Sequence, residues 1–145
     1  MTKKIVIASD HGGFELKEFL IKELEKKGFN ITNLGTNSSE SVDYPEYAQK
    51  VAKSILNKEF KKGILICGTG IGICISANRF KGIRAGLCHT VDDARLTRQH
   101  NDANIICFGG RTIDKNVALE CAKIFMETKF EGGRHQRRID KIDAL

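Results

Sequence analysis

The sequence predicts an α/β fold: a three-layer sandwich in which a five-stranded parallel sheet lies between two layers of helices. Three observations lead there. Five short apolar runs of strand length recur along the 145 residues. Longer stretches with apolar residues at helical spacing separate them, and such strand–helix alternation is the pattern of a parallel sheet covered on both faces. Polar or glycine-rich clusters also follow four of the five runs, where parallel strands would deliver them to one rim of the sheet.

The first run, Lys4 to Ala8, leads into Asp10-His11-Gly12-Gly13, with Asp10 placed as a helix N-cap. Phe14 to Lys27 carries Phe14, Leu16, Phe19, Leu20 and Leu24 at helical spacing, and Gly28 is a C-terminal stop. Asn30 to Leu34 is the second strand. Pro45, the only proline, stands in the first turn of a helix running from Glu46 to Leu56. Gly63 to Cys67 is the third strand, and a helix is expected over Ile73 to Arg79. Arg84 to Leu87 is the fourth strand; Thr90 caps the helix after it, with Asp92 and Asp93 in the first turn. Asn104 to Phe108 is the fifth strand, and Asp114 opens a helix reaching Met126. The last stretch, Gly132 to Asp143, is polar and basic, and is expected as a helix that packs on something other than its own core. This pattern is Rossmann-like or flavodoxin-like. No long low-complexity linker or internal repeat divides it, so one domain is expected over 1–145.

Composition narrows the functional classes. Hydrophobic residues make up 41% and charged residues 29%, ordinary values for a globular enzyme or binding domain. No run approaches the roughly twenty apolar residues of a membrane span, so no membrane partner is expected. The chain enters its first strand without a signal-peptide apolar region, so the expected location is cytoplasmic. Five cysteines are an odd number without a Cys-x-x-Cys pair. Most lie in apolar contexts such as Ile105-Ile106-Cys107-Phe108, which suits buried reduced thiols better than a disulfide framework or a zinc site. The net charge of +6 is partly local, with Arg134, His135, Arg137 and Arg138 clustered near the C-terminus. Without a nucleic-acid motif or an aromatic stacking platform, this cluster fits a small phosphorylated ligand better than a nucleic acid.

The chemistry concentrates in Cys67-Gly68-Thr69-Gly70-Ile71-Gly72, between the third strand and the following helix. Backbone N–H groups of such a loop can converge on an anion. Gly72 is followed by Ile73-Cys74, so the loop lacks the Gly-Lys-Ser/Thr ending of a Walker A motif. Ile73 also stands where a dinucleotide fingerprint needs its third glycine and where a Cys-x5-Arg phosphatase loop needs arginine. Beside a helix N-terminus the Cys67 thiolate would be stabilised, as a nucleophile or as a base; these residues leave both open. The anion held nearby could be an enediolate or a tetrahedral acyl intermediate. His11 is placed to contact a phosphate or hydroxyl. His100-Asn101 lies late in the fourth helix, and no His/Asp/Glu spacing, Cys88-His89 included, makes a metal site.

In order along the chain, Ile7 to Gly13, Asp43-Tyr44-Pro45, Cys67 to Gly72, Ala77-Asn78-Arg79, Gly82 to Ala85, His100 to Asn104 and Gly109-Gly110-Arg111 resemble the ribose-5-phosphate isomerase B family, which includes galactose-6-phosphate isomerase subunits. The resemblance implies aldose–ketose isomerisation of ribose 5-phosphate and ribulose 5-phosphate through a cis-enediolate. It implies no metal or cofactor. It implies Cys67 as the base between C2 and C1, Thr69 as a proton shuttle between O1 and O2, and the amides from Gly68 through Gly70 and Ile71 to Gly72 as the oxyanion site. His100 would assist ring opening, Asp10 and Tyr44 would position the sugar, and Asn101 would bind a hydroxyl. His11, Arg134 and Arg138 would grip the phosphate, with Arg111 as a helper. The resemblance further implies a homodimer or dimer of dimers with shared active sites, the basic C-terminal helix reaching a neighbour's pocket.

Two departures from the family pattern bear on these roles. One branch places a glutamate base within the loop, and this chain has Ile73 there and no loop carboxylate, which adds weight to Cys67. Cys74 stands where many members have serine, a small packing substitute that could add sensitivity to oxidation. A six-carbon substrate, allose 6-phosphate or galactose 6-phosphate, is the alternative within the class. A non-catalytic phosphate-binding module is the alternative outside it.

Overall fold

Every residue of the strands Gly63–Cys67 and Ile105–Gly109 is buried, as expected for parallel strands covered on both faces. In the computed structural model, which describes residues 3–145, these are β3 and β5 of one five-stranded parallel sheet. The other strands are β1 (Lys4–Ser9), β2 (Asn30–Asn33) and β4 (Ala85–Leu87), and the order across the sheet is β2-β1-β3-β5-β4. The helices are α1 (Phe14–Lys26), α2 (Tyr44–Leu56), α3 (Ile71–Ala77), α4 (Val91–Gln99), α5 (Lys115–Glu127) and α6 (Arg134–Asp143), with a 3-10 turn at His11–Gly13.

The period-2 alternation of each strand sorts its side chains into two cores. Ile5, Ile7, Ile64, Ile66, Ile106 and Phe108 face Leu20 and Leu24 of α1 and Ala122 and Phe125 of α5. Val6, Ala8, Leu65, Cys67, Ile105 and Cys107 face Ala48, Val51 and Ala52 of α2 and Ile73 of α3. Each large side chain removed from water in this way contributes about 1.5–3 kcal/mol before conformational entropy is counted. One cation lies within the first layer: Lys17 is fully buried and its Nζ donates to Asn33 Oδ1 at 3.1 Å, tying α1 to β2.

Helix boundaries follow the expected caps. Gly28 adopts φ +90 just past α1. Thr90 Oγ1 accepts from the Asp93 amide at 3.1 Å, and Asp114 Oδ1 accepts from Asn116 and Val117 at 2.8 and 3.2 Å. Two expectations are corrected. The helix read as Ile73 to Arg79 starts and ends two residues earlier, because Gly70 takes a left-handed conformation (φ +80) and serves as its N-cap. The C-terminal helix does pack on its own chain: His135 and Ile139 are buried, and Arg84 Nη1 meets Asp143 Oδ2 at 2.9 Å. Only its outer face, with Arg134, Arg137 and Arg138, is exposed.

Four of the five thiols are buried, and the pH dependence of stability follows from three of them. Burial pushes the Cys88 thiol up from 9.0 to about 12 and the Cys121 thiol up to about 11, with Asp93 adding to both. Burial likewise raises Cys107 well above its ordinary value. These thiols stay protonated in the folded chain after those of the unfolded chain have ionised. Their contribution is therefore complete below about pH 9 and is lost as the pH climbs toward the folded values. Lys62 acts in the opposite sense: burial lowers its ammonium from 10.5 to about 8, so the unfolded chain binds more protons between those values and stability gains there. Burial lowers the Lys17 ammonium as well, so two amines oppose the three thiols up to about pH 10.5, and the urea midpoint is expected to fall above that value. Cys88→Ala should fall less steeply, and an unchanged slope would contradict the assignment.

Candidate active site

The sheet order reverses between two strands. From β1 the chain passes to β2 on one side and then returns to β3 on the other, which opens a crevice beyond the carboxyl ends of β1 and β3. Asp10 and His11 follow β1, and the loop from Gly68 follows β3 directly after Cys67. Asp10 is buried; its amide donates to Ile66 O at 3.1 Å and its Oδ1 accepts from Gly13 N at 3.2 Å, which fixes the carboxylate at the crevice mouth.

Close backbone approach shapes the loop after Cys67. A Cβ on Gly70 would lie 2.7 Å from the Phe108 carbonyl carbon and 2.9 Å from the Gly109 nitrogen, so glycine is required by space as well as by its positive φ. Held in this way, the Gly70 amide donates to Cys67 Sγ at 3.2 Å. The thiol is 4% exposed, and this N–H fixes the position of the sulfur at the end of β3. The Ile71 amide donates to Thr69 Oγ1 at 3.2 Å and so orients the hydroxyl. Two of the amides expected to face an anion, those of Gly70 and Ile71, are thus turned onto the loop's own side chains.

Three further expected residues stand against this loop. A Cβ on Gly68 would meet Arg111 Nη1 at 2.9 Å, and one on Gly72 would meet the Tyr44 hydroxyl at 2.8 Å. A Cβ on Gly12 would lie 2.9 Å from Gly68 N and 3.3 Å from Asp10 Oδ1. Asp10, Tyr44 and Arg111 therefore gather around Cys67 and its glycines. His11 is pinned from the side: Val42 N donates to its Nδ1 at 3.2 Å, so the neutral ring carries its proton on Nε2. His89, by contrast, takes part only through its backbone, donating to Asp93 Oδ2 at 3.0 Å.

The remaining expected residues lie at the other edge of the sheet. His100 is the C-cap of α4, and Asn101 O accepts from Arg84 Nε at 3.0 Å, just before β4 begins. Asn104 joins Arg84 and Gly63 at the amino ends of β4 and β3, donating to Arg84 O and accepting from Gly63 N, both at 2.9 Å. Cys67 closes β3 four residues beyond Gly63, about 13 Å away at 3.3 Å per residue. Arg134 and Arg138 stand on α6 beside His100, because the His135 ring stacks on the His100 ring at 4.2 Å between centroids and 14° between planes. One chain therefore does not bring His100, Asn101, Arg134 or Arg138 to Cys67.

Sequence reasoning missed a grouping at this second edge. Glu131 Oε1 lies 3.9 Å from His100 Nε2 and 3.5 Å from His135 Nε2, and Glu131 N donates to Gln99 O at 3.0 Å. Burial, followed by the facing His100 and Arg134, holds His135 below its ordinary value. The four-residue interval from Glu131 to His135 was visible; its meeting with His100 depends on how α6 folds back over the end of α4.

Residues 5–142 match the family described as Ribose/Galactose Isomerase. The chain is similar to ribose-5-phosphate isomerase B of Escherichia coli, at 45% identity over 99% of this chain and 96% of that protein. It is similar in structure to the ribose 5-phosphate isomerase of Thermotoga maritima, with a TM-score of 0.96 and 54% identity over 98% of each chain. A third similarity is to ribose-5-phosphate isomerase B from Mycoplasma genitalium, solved with bound ribulose-5-phosphate, with a TM-score of 0.92 and 43% identity over 97% of this chain and 94% of that one.

Proposed function

The chain belongs to the ribose/galactose isomerase family and is a sugar-phosphate isomerase; from that premise we propose that it interconverts ribose 5-phosphate and ribulose 5-phosphate. The observation that carries this reading is the buried Cys67 thiol, held on the Gly70 amide beside Asp10 and Thr69 in the crevice between β1 and β3. A proton alpha to a carbonyl is acidic enough to remove only when a base and an oxyanion partner act together. In this reading Cys67 takes the C2 proton of the open-chain aldose and returns it to C1. The Thr69 hydroxyl moves the accompanying proton from O2 to O1. The amides of Gly68, Thr69 and Gly72, which are not spent on Cys67 or Thr69, hold the enediolate oxygen.

The other half of the site comes from a second copy of the chain. His100, Asn101, Arg134 and Arg138 lie a strand's length from Cys67 in one chain, so a two-fold pairing that sets the amino edge of one sheet against the carboxyl edge of another completes the pocket. The partner's His100 then opens the furanose ring and its Asn101 binds a hydroxyl, while its two arginines join His11 and Arg111 at the phosphate. Asp10 and Tyr44 position the sugar. Ile71 and Ile75, one turn apart on α3 and 53% and 61% exposed, offer apolar surface for such a pairing. The proton transfers are assigned to thiol, hydroxyl and imidazole groups, without a metal.

The test is turnover by the purified chain on ribose 5-phosphate, allose 6-phosphate and galactose 6-phosphate. The expected result is the highest kcat/KM on ribose 5-phosphate. Preference for either hexose phosphate would overturn the substrate assignment, and no turnover on any of the three would overturn the reading as a whole.

A further inference from the structure

We propose that His100, Glu131 and His135 form a binding site for a borderline divalent cation of the Zn2+ class, and that occupancy of this site shuts the isomerase down. The second half rests on the reading that His100 serves the reaction. The three residues come from separate supports: the C-cap of α4, the segment tied to Gln99 O, and the first turn of α6. One ligand atom from each lies within 4.8 Å of the others. Two imidazole nitrogens and one carboxylate oxygen are the donor set of three-ligand zinc sites that keep a fourth position open.

The distances are close to what such a site needs. Bonds of about 2.0–2.1 Å in a tetrahedron set neighbouring donors roughly 3.3 Å apart. Glu131 Oε1 already stands 3.5 Å from His135 Nε2 and 3.9 Å from His100 Nε2, yet no hydrogen bond joins it to either ring. The rings are stacked at 14°, so their nitrogen lone pairs lie in two nearly parallel planes and one ion cannot lie in both. Binding therefore requires one ring to turn. His135 is 8% exposed and stays in place; His100 is 41% exposed and has room to rotate toward the ion. Arg134 and Arg138 stand on the same helix and oppose a cation, which weakens the expected affinity. A bound ion takes the His100 lone pair that would otherwise accept or deliver a proton during ring opening.

The experiment uses the tag-free full chain in phosphate-free buffer. Titration with Co2+ should give visible d–d bands without a near-ultraviolet thiolate-to-cobalt band, and calorimetry should find a matching Zn2+ site. His135→Ala and Glu131→Gln should each weaken both ions by about tenfold or more, the scale on which even outer partners of a metal site count. Zn2+ should inhibit ribose 5-phosphate turnover with the midpoint seen in calorimetry, and a chelator should restore it. Absence of binding, or binding that shows the thiolate band and is indifferent to both substitutions, overturns the site. Binding at these residues without inhibition upholds the site and overturns the role given to His100.

Discussion

Cys67→Ala is expected to lower kcat on ribose 5-phosphate by about a thousandfold or more, the upper range for loss of a positioned base, equal to about 4 kcal/mol of transition-state stabilisation. Binding of a phosphosugar should change only a few-fold, because the phosphate and hydroxyl contacts are assigned to other residues. The substitution removes one sulfur from the core cluster that also holds Ala8, Ala48 and Ile73 and keeps the glycine turn, so folding should survive. Cys67→Ser is the sharper control. It keeps the shape and the Gly70 N–H contact, but a hydroxyl is a far weaker proton acceptor at neutral pH. Serine activity near that of the parent would show that the sulfur is not the base.

His100→Asn should reduce turnover of ribose 5-phosphate by about a hundredfold, the low end for loss of general acid–base assistance. The effect should depend on direction. Ribose 5-phosphate reaches the enzyme chiefly as a closed furanose, which must open before C2 can be deprotonated. Ribulose 5-phosphate carries its phosphate on the hydroxyl that ring closure would need, so it arrives open. A residue that serves only ring opening should therefore matter much less when ribulose 5-phosphate is the substrate and the released aldose closes in solution. Equal losses in both directions would assign His100 to the enediolate step instead.

The order of elements was legible in the sequence because each level agreed with the next. The continuous apolar runs before Cys67 and around Cys107 became the fully buried strands β3 and β5, and Thr90 and Asp114 capped the helices they precede. The start of α3 was less legible, since the left-handed Gly70 lets the helix begin at Ile71, and a glycine in a loop does not announce its φ. The residues around Cys67 were also readable, because short βα connections keep Asp10 and Arg111 near their strand ends, while Tyr44 reaches Gly72 from the start of α2, after the longer segment 34–43. The position of His100 was not. A helix between parallel strands runs back across the sheet, so its last residue lands at the edge opposite its first, and the resemblance alone could not show that His100 and Cys67 part company within one chain. The approach of Glu131 and His135 to His100 depends on the return of α6, which no local pattern encodes.

The central claim is that a complete site draws Cys67 from one copy and His100 from another. It is tested most directly by pairing two inactive variants. Cys67→Ala and His100→Asn chains produced together should form mixed dimers in which one site has lost both residues and the other has kept both. With random pairing, half the dimers are mixed and each holds one intact site of two, so the mixture should recover roughly one quarter of the parent kcat per chain. Recovery on that scale, absent from either variant alone, is the predicted result. A mixture no more active than the mean of its two components would contradict a site shared between copies.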